Sequence, residues 1–139
     1  MLSRSFKSHD ELQLTEPQHA ALIKVLGMLE RNEFTHKTSL DQWIESREEV
    51  KFFDMSGYHV KGYRCGTVGC IAGWCHEVSH GKVFPGIDEG LLAENLSPET
   101  MDLFHAMGHD RATITPPQAA RALNNYLVTG APRWAEVLA

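Results

Sequence analysis

The stretch Arg64 to His80, RCGTVGCIAGWCHEVSH, constrains the fold of this chain more than any other. It holds all three cysteines, two of the eight histidines and a run of very small residues. Thr67 is placed to cap a helix, with its hydroxyl accepting from the backbone N–H of Gly69 or Cys70. A helix over Val68 to Val78 then gathers Ile71, Trp74, Cys75 and Val78 on one apolar face. Gly69, Ala72 and Gly73 are small, and each helical glycine costs about 1 kcal/mol relative to alanine. Such a cost is tolerated where another backbone must come close. The stretch therefore predicts a buried helix, Thr67–Ser79, at the centre of the domain.

Cys70 falls at the third position of that helix, where the positive end of the helix dipole favours a thiolate. A nucleophilic or redox role, alone or with Cys65, fits this placement. A plain packing role fits equally, since free cysteine is among the most buried residue types. Cys70 and Cys75 are separated by about 7.5 Å of helical rise and point in different directions, so they cannot bridge. Cys65 lies in the approach loop and can fold back onto Cys70.

These residues carry a resemblance. Cys65, Gly66, Thr67, Cys70, Ala72 and Gly73 match a Cys-Gly-Thr-x-x-Cys-x-Ala-Gly pattern. It resembles the signature of a family of small uncharacterised bacterial and phage-borne proteins. An upstream Phe53-Asp54-Met55, a Thr115–Ala120 segment reading Thr-Pro-x-Gln-Ala-Ala, and Gly130, Pro132, Arg133 and Trp134 extend the likeness over roughly Phe52 to Val137. Cys75 departs from it, that position usually being a small residue. The resemblance implies no established activity. It does imply the company of accessory proteins of bacteria and mobile elements, one form of which is a phage-encoded inhibitor of a host defence complex.

With 139 residues the chain has one domain's worth of length, enough to bury a core. A net charge of −5 argues against general nucleic-acid binding, which calls for a basic patch. No apolar run reaches the roughly 18–20 residues that span a bilayer. The start, MLSRSFKSHDELQL, lacks the apolar core of a secretory signal. A cytoplasmic location follows as the expectation, and an odd cysteine count suits reduced thiols better than a disulfide scaffold.

Residues 1–14 are polar and read as a flexible arm or an early helical turn, and residues 15–139 as one helical domain. Thr15, Pro17 and Gln18 form a capping box ahead of a helix with Leu22, Val25, Leu26 and Leu29 on one face. A second helix is expected over Ser39 to Arg47, and a short one over Asp88 to Glu94. Between them VKFFDM and YHVKGY, with Ser56-Gly57 and Lys61-Gly62 as turn signals, predict a short β-hairpin or extended segment before the central helix. Ser97 caps a helix with Met101, Phe104 and Met107 inward and Gly108 at its end. Thr115 and Gln118 repeat the capping box, ahead of a helix with Ala119, Leu123, Tyr126 and Leu127 inward and Gly130 as its stop. The fold class is thus mostly α, one compact domain of about five helices.

Four functional readings compete. Metal binding would use His76 and His80, four apart on one helix, but zinc needs four converging ligands and no recognised spacing is present. His105 and His109 repeat the interval across Gly108. Thiol catalysis would use Cys70 with His59, His105 or His109 as base, against a crowded apolar setting that opposes it. Helix-turn-helix DNA binding fails on the long link between the last two helices, and Arg121 is the sole cation on the last long one. Protein binding through the aromatic anchors Phe52, Phe53, Tyr58, Tyr63 and Trp134 fits a small acidic helical domain best, with a core role as the plain alternative for each. The expectation is a non-enzymatic binding or regulatory protein that needs no cofactor and has a protein partner. A thiol-dependent enzyme or redox protein using Cys70 with Cys65 is the alternative.

Overall fold

A computed structural model describes residues 5–36, 50–53, 55, 59–63, 66–80, 83, 96–106, 108–109 and 113–139. The domain is mostly helical. Its described residues form five helices and a small four-stranded sheet. The expected helices over Ser39–Arg47 and Asp88–Glu94 lie outside them.

Helix α1 (Glu16–Glu30) starts as its sequence dictates. The Thr15 side chain accepts from the Gln18 backbone, and the Gln18 side chain accepts from the Thr15 N–H at 3.0 Å. Leu22, Val25, Leu26 and Leu29 are buried along one stripe, joined by Ala21 and Met28. After α1 come three strands: β1 (Thr35–His36), β2 (Val50–Phe53) and β3 (His59–Tyr63).

The central stretch departs from expectation here. Gly66–Gly69 is a fourth strand, β4, so Thr67 is not a helix cap. The sheet order is β1-β2-β4-β3. β4 runs parallel to β2 and antiparallel to β3, and β1 is parallel to β2. The expected hairpin of β2 with β3 is therefore replaced by one of β3 with β4, which inserts β4 between the two aromatic strands. The branched pair Thr67-Val68 prefers a pleated strand to a helix, and two flanking ladders settle the choice. Helix α2 (Ile71–Val78) begins only after Cys70. It packs against α1 and against β3 and β4, so the helix stands between the helical layer and the sheet.

Helix α3 (Pro98–His105) is capped by Ser97, which accepts from the Thr100 backbone at 3.2 Å. Thr100, Leu103 and Phe104 face the core and Met101 is half-buried; Met107 lies outside the described residues. The helix stops at Ala106 in the left-handed conformation, two residues before Gly108. Helix α4 (Pro116–Thr129) repeats the capping box at Thr115 and Gln118 and ends at Gly130, φ 92°. Its buried face carries Ala119, Leu123, Tyr126 and Leu127 and packs on α1 and α3. A last turn, α5 (Trp134–Val137), closes on α4.

A buried hydroxyl chain ties α3 to α4. Tyr126 Oη lies 2.5 Å from Thr100 Oγ1, which lies 2.8 Å from Ser97 Oγ. Burial pushes the Tyr126 phenol up, the Thr100 bond opposes that, and the Glu99 charge adds to it. Replacing Tyr126 with Phe should cost about 1–2 kcal/mol, because Thr100 loses a buried partner. Urea unfolding checks it. A raised phenol also means that this residue's contribution is present at neutral pH and is lost as alkali ionises it.

Residues 5–14 lie against the helices. Leu12 and Leu14 are buried, and Ser8 and Glu11 exchange side chain-to-backbone hydrogen bonds at 3.0 and 3.2 Å. The Lys7 N–H donates to Leu127 O at 2.8 Å, satisfying a carbonyl that the last turn of α4 leaves open. His19 Nε2 of α1 donates to Lys7 O at 3.0 Å. The segment is a strap laid over α1 and the end of α4.

Candidate functional site

The junction of β4 and α2 carries the chemistry the sequence singled out. A single residue, Cys70, joins strand to helix, with extended backbone angles (φ −84°, ψ −171°). It is the N-cap, not the third helical residue. Its sulfur accepts from the Gly73 N–H at 3.5 Å, in the place a serine or threonine oxygen usually fills. Only 1 % of Cys70 is exposed, and Cys75 one turn on is fully buried. Among the described residues neither is in a disulfide. Burial holds the Cys75 thiol well above its ordinary value, and the nearby Cys70 adds to the shift. A thiol in such a place stays protonated and closed to reagents. Cys65 lies outside the described residues.

Of the two histidines expected on one helix, His76 lies on α2 and His80 lies two residues beyond its end. His76 Nδ1 lies 3.3 Å from Val83 O. Ser79 Oγ donates to His76 O at 3.1 Å and accepts from Val83 N at 3.2 Å. This clasp fixes the exit of α2. His80 is exposed and left-handed, φ 56°. Among the described residues no group of three or more His, Cys, Asp or Glu side chains is placed to hold a metal ion. His105 ends α3 and His109 lies in the turn beyond it.

Two of the five aromatic anchors are core. Phe53 is fully buried, with its ring 6.0 Å from Phe34. Trp134 is 2 % exposed, and its indole N–H donates to Asp102 O at 2.8 Å, pinning α5 to α3. Neither is available as an exposed anchor in this structure. Tyr58 and the side chains of Phe52 and Tyr63 lie outside the described residues. Phe34 is a further core aromatic, whose ring stands 4.7 Å from Trp74 and links α2 to the segment after α1. A lone Phe between Glu33 and Thr35 offers no periodicity from which burial could be read.

Comparison with protein-family models, curated proteins and solved structures finds no match for the chain. No helix among the described residues is long and apolar enough to cross a membrane.

Proposed function

We propose that this chain is a non-enzymatic protein-binding or regulatory domain in which the Cys-Gly-Thr-x-x-Cys-x-Ala-Gly segment is architectural. One observation carries the reading: the Cys70 sulfur is buried and committed to the Gly73 N–H as a helix cap. A nucleophile must meet substrate, and burial closes the sulfur to it; burial also opposes the thiolate that the Gly73 N–H would favour. The segment instead turns the chain from the central strand into the helix between sheet and helices, which is a structural task. The acidic balance, −5 overall, favours a protein partner over nucleic acid. The resemblance to bacterial and phage-borne accessory proteins supports a bacterial partner, with a host defence complex as one form of it.

The test compares wild type with Cys70→Ser, which keeps a capping oxygen. Each is expressed with an affinity tag in a bacterial host and cross-linked before purification. The same protein should co-purify in stoichiometric amount with both. Absence of any stoichiometric partner, together with a thiol-dependent turnover lost in folded Cys70→Ser, would establish the enzyme reading instead.

A further inference from the structure

We infer that this chain pairs with a second copy of itself by exchanging straps, the strap of each copy lying on α1 and the end of α4 of the other. The place it occupies is built for this segment. Leu12 is buried there and Phe6 packs against the core. The Lys7 N–H meets Leu127 O at 2.8 Å, and Lys7 O accepts from His19 Nε2 at 3.0 Å. The Lys7 methylenes pass so close to Gly130 that a Cβ there would lie 3.8 Å from them. An identical strap from a second copy makes each of these contacts in the same geometry, which is why exchange of an identical element is a low-cost route to a dimer. The match names the occupant: it must offer an apolar side chain on each side of a backbone N–H aimed at Leu127 O, as Phe6, Lys7 and Leu12 do.

The hinge is the junction of strap and helix. The strap's turn is held by its own bonds, Leu12 N–H to Ser8 O and Gln13 N–H to Asp10 O, both at 3.1 Å. Helix α1 starts on its own capping box, Thr15 with Gln18, which stays closed without the strap. Two self-contained units therefore meet at Gln13, an exposed residue in the left-handed conformation, φ 58°. For a residue with a Cβ that conformation is disfavoured by about five- to thirtyfold. Asn32, His80, Ala106 and Arg133 share it, but each of these borders a helix. Gln13 instead folds the strap back onto its own body. Swinging the strap out returns Gln13 to ordinary angles, at the cost of exposing Phe6 and Leu12 and uncapping Leu127 O. Docking on a second copy restores all three. The Leu14 N–H to His9 O bond crosses the hinge and re-forms between the copies.

Sedimentation equilibrium on the full chain, warmed to allow exchange and then measured up to about 0.5 mM, tests this. Wild type should show a dimer fraction that rises with concentration. Gln13→Gly takes the left-handed angle freely, so it favours the closed strap and should weaken the dimer by about tenfold or more. Gln13→Pro fixes φ near about −65°, cannot close the strap, and should strengthen the dimer. Isotope-filtered NOEs on a mixture of labelled and unlabelled wild-type chains then locate the strap, and the contact between Lys7 and Gly130 should run between copies. A wild type that is monomeric throughout overturns the proposal whatever the variants do. So does a dimer whose Lys7–Gly130 contact stays within one chain, or a folded Gln13→Gly that dimerises as tightly as wild type. The wild-type mass and NOEs stand as a test even where Gln13→Pro fails to fold.

Discussion

Trp134→Ala is expected to destabilise the domain by about 3–5 kcal/mol, the range for removing a buried tryptophan. Two losses combine in this variant. The large side chain leaves a cavity between α5 and α3, and Asp102 O loses the indole N–H that satisfies it. Trp134→Phe separates them, keeping most of the volume and costing about 1 kcal/mol for the lost hydrogen bond. Chemical denaturation gives both values. The series also decides between two roles. A partner-binding anchor on the surface would leave stability within about half a kcal/mol of wild type in either variant. A core tryptophan would not.

Trp74→Ala should be as damaging, again by about 3–5 kcal/mol, which is a large part of the roughly 5–15 kcal/mol that holds a domain together. Trp74 is the largest side chain of α2, and its ring meets Phe34 at 4.7 Å with the planes tilted by 53°. Phe34 in turn meets Phe53 of β2 at 6.0 Å. These three rings connect the helix to the sheet. A double-mutant cycle of Trp74→Leu with Phe34→Leu should return a coupling of about 0.5–1.5 kcal/mol for the ring pair. Coupling near zero would mean that the two residues occupy separate parts of the core.

Much of the helical frame was legible in the chain because it is written locally. Thr15-x-x-Gln18 and Thr115-x-x-Gln118 satisfy their own helix starts, and Gly130 adopts the left-handed angle that stops α4. The stripes Leu22-Val25-Leu26-Leu29 and Ala119-Leu123-Tyr126-Leu127 needed only the helical period to be read. What escaped depends on partners distant in sequence. Gly66–Gly69 becomes a strand because β2 and β3 offer ladders on both sides, and no local propensity reveals a β2-β4-β3 order. That shift moved the start of α2 from Thr67 to Cys70 and turned Cys70 from a first-turn residue into the cap. The strap escaped for a similar reason. Its residues are polar except Phe6, Leu12 and Leu14, and its anchor, Leu127 O, is a backbone atom more than a hundred residues away. Trp134 illustrates a further limit. An aromatic residue after Gly-x-Pro reads equally as anchor or core until Asp102 is seen beside it.

The candidate site was legible in its residues but not in its chemistry. Sequence alone put Cys70 near a helix start, and the dipole argument there favours a reactive thiolate. Burial argues the other way. Ile71, Ala72 and Trp74 close around the junction with at most 2 % exposure, and Cys75 beneath is fully enclosed. Such packing excludes water and reagents from the sulfur regardless of the dipole.

An architectural role for Cys70 requires closed thiols in the native protein, and labelling rates measure that directly. Native protein is treated with a maleimide across a range of pH, quenched, digested and read by mass at each cysteine, with denatured protein as reference. Cys70 and Cys75 should label at least about a hundredfold more slowly in the native state, because each must wait for a local opening that costs several kcal/mol. Rapid native labelling of Cys70, with an apparent pKa well below the ordinary thiol value of about 8.5, would contradict the architectural role and make the thiol enzyme the correct reading.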